Sequence, residues 1–331
     1  MTFDLPYLLN SFMNELIIPS YQDIVDAHRR ILPYIHQTPV FTSSGLNELL
    51  GAEVYFKCEN FQKVGAFKFR GAVNAVMSLT DAESSNGVAT HSSGNHAAAL
   101  ALAAGIRKIK AYIVMPDNAP ATKKQAVASY GGNITFCAPT LAARESTLDQ
   151  VVNRTKSTVI HPYNNFQVIS GQGTAAKELL EEVPFPDAIL VPVGGGGLLS
   201  GTAIAAKAIN PKIKVIAAEP EMANDAFLSF RKGSIVPSNN PKTIADGLLT
   251  SLGPLTFKAI QTHVDDIVTV SEELIVVAMR LIWQRMKIVI EPSSAVPVAA
   301  LIQYPEMFRN QRIGIILSGG NVDLDKLLFT S

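Results

Sequence analysis

Short apolar runs rich in β-branched residues alternate along the chain with longer stretches of helical periodicity. The runs at 54–59, 87–92, 110–115, 133–137, 158–162, 188–193, 214–218 and 312–317 predict strands. Between them, 94–104, 121–130, 141–155, 173–182, 198–209 and 272–287 predict helices. Ser271 caps the last of these, and Glu272 and Glu273 fill its first turn, where the helix dipole favours acids. Such alternation builds βαβ units and mostly parallel, buried sheets, and so predicts an α/β fold. No internal repeat, low-complexity tract or long linker interrupts it. Open α/β sheets bind ligands beyond the carboxyl ends of their strands, so unusual residues at those ends are where chemistry is sought.

Composition narrows the classes. The 331 residues suggest about two domains, and 47% hydrophobic residues fill a sizeable core and exclude disorder as the main state. Lys and Arg number 28 against 28 Asp and Glu, so no basic excess points to nucleic acid or an anionic membrane. Cys58 and Cys137 are too few for a disulfide framework or a thiolate metal site, and read as reduced thiols of a cytoplasmic protein. The first twenty residues hold Asp4, Pro6, Glu15 and Pro19 but no Lys or Arg, which fits neither a secretory signal nor a mitochondrial presequence. The uncharged stretch 188–206 carries Pro192 and four consecutive glycines, so it reads as a strand, a turn and a helix start, not a membrane span.

Four constellations stand at strand ends. Gly194, Gly195, Gly196 and Gly197 follow the run 188–193 and precede a helix. Such a loop turns its amides inward, and the helix dipole adds partial positive charge: a phosphate cradle without basic side chains. A merely tight turn would not need four residues of such high conformational entropy. The spacing of Gly195, Gly197 and Gly201, with Glu219 ending the next strand, also approximates a dinucleotide fingerprint, so an NAD(P)-dependent dehydrogenase competes with a smaller phosphorylated cofactor.

The second constellation is Gly65-Ala66-Phe67-Lys68-Phe69-Arg70-Gly71. Apolar neighbours disfavour the ammonium form of Lys68 and make its amine a candidate for Schiff-base chemistry, against the common alternative of a snorkelling lysine. The third, His91-Ser92-Ser93-Gly94-Asn95-His96, opens an Ala-rich helix whose first amides suit a carboxylate; simple capping by Ser93 is the plainer reading, and His96 reads as structural. The fourth, Leu317-Ser318-Gly319-Gly320-Asn321, is small enough for a planar ring to approach, with one hydroxyl on Ser318.

Together these stretches resemble the fold-type II enzymes that use pyridoxal 5′-phosphate, and within them the serine racemase branch. The resemblance spans about 17–324 and rests on 56–59, 65–71, 90–96, 171–174, 194–197, 218–220, 243–247 and 317–323 in one order. It implies two open parallel-type sheets flanked by helices, as in the tryptophan synthase β chain. It also implies a large cofactor-binding domain from 1–81 and 161–331, a small mobile domain at 82–160, and a cytoplasmic homodimer. Lys68 would carry the cofactor, with Phe67 beside it, the four glycines on the phosphate, Asn95 on the phenolic oxygen and Ser318 at the pyridine nitrogen. A serine there, unlike an aspartate, does not hold that nitrogen protonated.

Ser92, Ser93, Gly94 and Asn95 would bind the substrate carboxylate, with Arg144 close by. Lys68 and Ser93 would be the acid and base on opposite faces of the substrate's Cα. The implied activity is interconversion of L- and D-serine with loss of water from serine to give pyruvate and ammonia. A dehydratase of L-serine, L-threonine or threo-3-hydroxyaspartate shares the same motifs. Glu219, the Ala223 carbonyl and Asp225 match a site for Mg²⁺, Ca²⁺ or Mn²⁺, a chemistry suited to oxygen ligands. Lys63, Lys123, Tyr130 and Asn321 match positions around a nucleotide (ATP) effector. Where some family members have His-Pro-Asn, this chain has His161-Pro162-Tyr163, leaving Asn164 or a water to replace an asparagine contact to the cofactor.

Overall fold

The structure, a computed structural model, describes residues 16–92 and 94–324. Ser93, and the first fifteen residues on which most of the leader-segment reading rests, lie outside the described residues.

Ten strands form two sheets. They are β1 (Val40–Phe41), β2 (Glu53–Cys58), β3 (Val88–His91), β4 (Ala111–Pro116), β5 (Gly132–Cys137), β6 (Thr158–Val159), β7 (Ala188–Pro192), β8 (Lys214–Pro220), β9 (Asp266–Val270) and β10 (Arg312–Leu317). The larger sheet has the order β1-β2-β10-β7-β8-β9, and the smaller β5-β4-β3-β6. All pairings are parallel except β1 with β2. The chain therefore leaves the larger sheet after β2, builds the smaller one, and returns at β7. All eight predicted strands are present, although β6 stops at Val159; the short edge strands β1 and β9 were not predicted.

Both faces of the larger sheet are covered. Along β7, Leu190 points into one apolar layer with Phe56 and Ile315, while Ile189 and Val191 point into the other with Ile316. This is why the strands read as unbroken apolar runs instead of alternating ones. The stretch 188–206 is β7, the glycine turn and the helix Gly197–Ile209. No helix among the described residues is long and apolar enough to cross a membrane. Cys58 is buried and Cys137 half-buried, and both are free thiols.

The helix Phe166–Glu182 begins at Phe166, not at 173, because the Asn165 side chain accepts from the Val168 amide as an N-cap. Gly171 and Gly173 lower its helix propensity and hid that start. They are required by packing. A Cβ at Gly171 would lie 2.6 Å from the Arg70 carbonyl oxygen, and one at Gly201 would lie 2.5 Å from the Gly173 nitrogen. This central helix thus meets its neighbours Lys68–Ser78 and Gly197–Ile209 backbone to backbone.

Beneath the first of those neighbours lies a buried charge cluster. Arg70 is fully buried and donates to Glu59 at 2.7 and 2.9 Å and to Glu178 at 2.7 Å twice. Lys57 pairs with Glu178 at 2.7 Å, and Thr38 donates to Glu59 at 2.5 Å. The cluster fixes the helix that carries Lys68.

Candidate active site

A cavity of about 660 Å³ opens between the two sheets, beyond the carboxyl ends of β3, β7 and β10. Lys68, Asn95, the glycine loop, Arg144 and Ser318 all reach its wall. Motifs separated by up to 250 residues in sequence (Lys68 and Ser318) are therefore walls of one space.

Lys68 opens the helix Lys68–Ser78, where the helix dipole opposes a cation. Its Nζ donates to the Pro162 carbonyl at 3.0 Å and lies 5.2 Å from the Phe67 ring centre. Burial lowers the amine to about 8, the charge on Glu291 partly resisting. Far more of it is uncharged near neutrality than of an ordinary lysine, which favours nucleophilic attack on an aldehyde.

The glycine loop is enclosed on two sides. A Cβ on Gly195 would lie 2.3 Å from the Tyr163 ring, and one on Gly194 would lie 2.8 Å from the Leu248 Cα. Gly196 has φ +86°, the left-handed region, and turns the chain into the helix Gly197–Ile209. Only this backbone leaves room for an anion at the helix start. Ser318, at the end of β10, is buried with its Oγ 3.1 Å from Ser294 Oγ.

Asn95 begins the helix Asn95–Arg107. Its Nδ2 donates to both oxygens of Glu291 at 3.1 Å, and its Oδ1 accepts from Asn321 Nδ2 at 2.9 Å. Glu291 is buried, and desolvation, then Asp246, raise its carboxyl to about 7. The Ser92 amide is tied to the Val114 carbonyl at 3.1 Å, and Ser92 Oγ accepts from the Gly94 amide at 3.4 Å. Arg144 Nε donates to the Thr140 carbonyl at 3.4 Å, and its guanidinium makes no salt bridge with a described residue.

Three histidines around the cavity, His91, His96 and His161, are shifted toward their neutral forms. Burial lowers His161 to about 4 and His96 well below its usual value. His161 Nδ1 accepts from the Tyr163 and Asn164 amides, which assigns its hydrogen to Nε2. His96 Nε2 lies 3.2 Å from the Ile160 carbonyl, the structural role expected of it. Asn164 does not face the cavity: its Oδ1 accepts from the Leu255 amide at 2.9 Å. Tyr163 stands on the wall in its place, and Asn164 is no substitute for the missing asparagine.

Glu219 is fully buried, its two oxygens accepting from the Ala226 and Phe227 amides at 2.9 and 2.8 Å. It is therefore not free to grip a ribose beside the glycine loop, and the dinucleotide reading loses its acid. Both Asp225 oxygens are buried without a hydrogen-bond donor. Two buried acids, one of them with both oxygens orphaned, fit a hard cation. No cluster of three or more His, Cys, Asp or Glu collects among the described residues. Of the four residues matched to a nucleotide effector, Asn321 donates to the Val64 carbonyl at 2.7 Å beside Lys63, and Lys123 pairs with Asp246 on the cavity wall. Tyr130 is partly buried against the core beside the smaller sheet, its carbonyl near Gly105.

Residues 31–319 match the family of pyridoxal-phosphate dependent enzymes. The chain belongs to this family. It is 53% identical to the β-hydroxyaspartate dehydratase of Paracoccus denitrificans, over 94% of this chain and 99% of the relative. It is 49% identical to the serine racemase of Homo sapiens, over 92% of each chain. The solved serine racemase of Dictyostelium discoideum superposes with a TM-score of 0.88 at 53% identity, covering 92% of this chain and 99% of that one. The maize serine racemase gives a TM-score of 0.92 at 46% identity, covering 94% and 96%. The fold is that of the fold-type II enzymes, as the motifs implied.

The glycine cradle, the depressed amine and the small residues at Ser318 fit pyridoxal phosphate. Glu291, Tyr163 and Ser294 were not anticipated. Glu291 precedes Pro292 and reads locally as a helix entry, and only the fold turns its carboxylate onto Asn95, 196 residues away in sequence.

Proposed function

We propose that this enzyme interconverts L- and D-serine and also removes water from serine to release pyruvate and ammonia. The single observation behind the reading is a half-buried lysine, its amine lowered to about 8, sharing one cavity with a glycine phosphate cradle. Lys68 would hold the cofactor's aldehyde carbon, the four glycines its phosphate, Asn95 its phenolic oxygen and Ser318 its ring nitrogen. When bound, pyridoxal phosphate withdraws electrons from the substrate and acidifies its Cα–H. The amides at the start of the helix Asn95–Arg107 bind the substrate carboxylate. Lys68 Nζ takes or returns the Cα proton on one face, and Ser93 serves the opposite face. The neutral histidines place no imidazolium acid beside the carboxylate-binding end. The segment 82–160 is the smaller unit that closes over substrate, and the Glu219–Asp225 pair holds a divalent cation. Lys123 and Asn321, near the cavity rim, suit an ATP effector.

A second reading has its own observation. The unpaired Arg144 guanidinium suits a second carboxylate, as in threo-3-hydroxyaspartate, and the Paracoccus relative is named for that substrate class.

Incubation with L-serine in heavy water, following D-serine and pyruvate, tests the main reading. Both products should form, with deuterium at Cα of the D-serine. Lys68→Ala should lose borohydride-fixed cofactor and drop racemisation by roughly 10²–10⁴-fold. Ser93→Ala should abolish D-serine while keeping some pyruvate. Equal loss of both products in that variant would sink the two-face scheme. A kcat/KM for hydroxyaspartate far above that for serine would establish the second reading instead.

A further inference from the structure

His91 ends β3 and stands on the cavity wall, yet the reactions proposed above give it no task. Its ring is half-buried and meets His161 edge to face, with 5.9 Å between the ring centres. Among the described residues its imidazole makes no hydrogen bond. Arg144, in the first turn of the helix Leu141–Thr155, stands on the same wall, also half-buried and without a salt bridge. An imidazole and a guanidinium that both lack an acidic partner line one cavity and leave a place for a shared anion.

The surroundings of His91 single out Arg144. On β4 the residue paired with His91 is the apolar Val114. The helix Leu141–Thr155 brings Arg144 and Glu145, and the helix Asn95–Arg107 brings His96. The corner 161–163 brings His161, with Tyr163 edge-on to that ring. Burial, then the charge of Arg144, disfavours the imidazolium of His91, Glu145 partly resisting. His96 and His161 are shifted toward neutrality themselves, and Glu145 is exposed to water. The repulsion that a ligand can remove is therefore that of Arg144. A carboxylate seated on Arg144 cancels it and adds attraction, and an opposite charge within about 4–6 Å moves a titration midpoint by about 1–3 pH units.

We propose that His91 is a specificity-determining residue: with Arg144 it grips the distal carboxylate of a dicarboxylic 3-hydroxy amino acid, and it takes a proton from solvent as that carboxylate arrives. This rests on the second reading under the proposed function, in which Arg144 meets such a carboxylate. Serine has no second carboxylate, so with serine His91 stays neutral. Selection between the two substrates is thus linked to pH. The contribution of His91 is full while the imidazole of the complex is protonated, and is lost as the pH rises through its titration there.

The test uses 2-methylaspartate and 2-methylserine, which carry a methyl group in place of the Cα hydrogen and cannot lose a proton there. Each is titrated calorimetrically into holoenzyme near neutral pH, in phosphate and in Tris. The two buffers differ in ionisation heat, so the pair of titrations counts the protons taken up. Proton movements common to both ligands cancel in the difference. We expect the aspartate analogue to take up about half a proton or more beyond the serine analogue. His91→Gln should abolish that excess. Arg144→Met should weaken the aspartate analogue by about tenfold or more and leave the serine analogue little changed. In turnover, the KM for threo-3-hydroxyaspartate relative to that for serine should rise with pH on the alkaline side, by up to about tenfold per unit, and stay flat in His91→Gln. No excess proton in the parent enzyme, or an equal excess in His91→Gln, overturns the proposal; a weakened aspartate analogue in Arg144→Met then leaves the second reading standing. Unchanged binding in Arg144→Met removes the second reading and the proposal with it. Should the added methyl keep both analogues out, a KM ratio flat with pH in the parent overturns the proposal, and a rising one lost in His91→Gln upholds it. Should His91→Gln fail to fold, His91→Asn takes its place.

Discussion

Two groups of buried charge sit in this molecule and are built on opposite terms. Around Arg70, two cations, Arg70 and Lys57, meet two anions, Glu59 and Glu178, and each carboxylate oxygen has a donor. Glu178 is held well below the usual carboxylate range, the hydrogen bonds from His28 and Arg70 and the charges of Arg70 and Lys57 outweighing its desolvation. At Glu219 and Asp225 two acids are buried with no cation paired to them among the described residues. Burial raises Glu219 to about 9 and Asp225 to about 6, each carboxylate losing its water. Buried charge is tolerated when paired and hydrogen-bonded, and is costly otherwise. The first group is complete as it stands and serves structure. The second would be completed by something positive, and that is what supports the proposed cation site.

Breaking the balanced group should have the largest effect. Arg70→Met leaves two carboxylates buried together and should cost about 3–5 kcal/mol of stability, read from urea denaturation midpoints. A cost below about 1 kcal/mol would show the cluster to be far less closed than its geometry.

A third kind of buried group, the neutral histidine, sharpens the contrast. His161 titrates near 4 in the folded chain against 6.5 in the unfolded one, because burial disfavours its cation. The unfolded state then binds the extra proton between those values, so stability is present above about 6.5 and falls as the pH drops toward 4. The loss attributable to His161 is at most about 3 kcal/mol. His161→Gln should flatten thermal stability across that window.

The smallest effect belongs to the open acidic pair. Asp225→Asn removes a carboxylate buried without a donor and should raise metal-free stability by about 1–2 kcal/mol. The same variant should lose the rise in Tm that excess Mg²⁺ gives the parent enzyme. A parent Tm indifferent to both Mg²⁺ and EDTA would remove the cation from the picture.

Much of this was legible in the sequence because it is local. Strands buried on both faces announce themselves as apolar runs, and the glycine loop, Lys68 and Asn95 stand next to strand ends or helix starts. The edge strands β1 and β9 were not legible, since two residues carry no period and 266–270 mixes polar with apolar. Glu291 and Ser294 were hidden for a different reason. Each acts on a partner far along the chain, and nothing in Glu-Pro-Ser-Ser distinguishes a helix entry from a wall of the cavity. Tyr163 was seen only as a departure from a pattern; its ring against Gly195 could not be read before the fold was known.

The three residues His161, Pro162 and Tyr163 touch both ends of the cavity at once. The carbonyl of Pro162 receives the Lys68 amine, and the ring of Tyr163 closes over the glycines. One rigid corner of backbone therefore acts as a ruler between the point of covalent attachment and the anion seat. Lengthening or shortening that corner by a single residue would put the two out of step and exclude a molecule of the right chemistry but the wrong span.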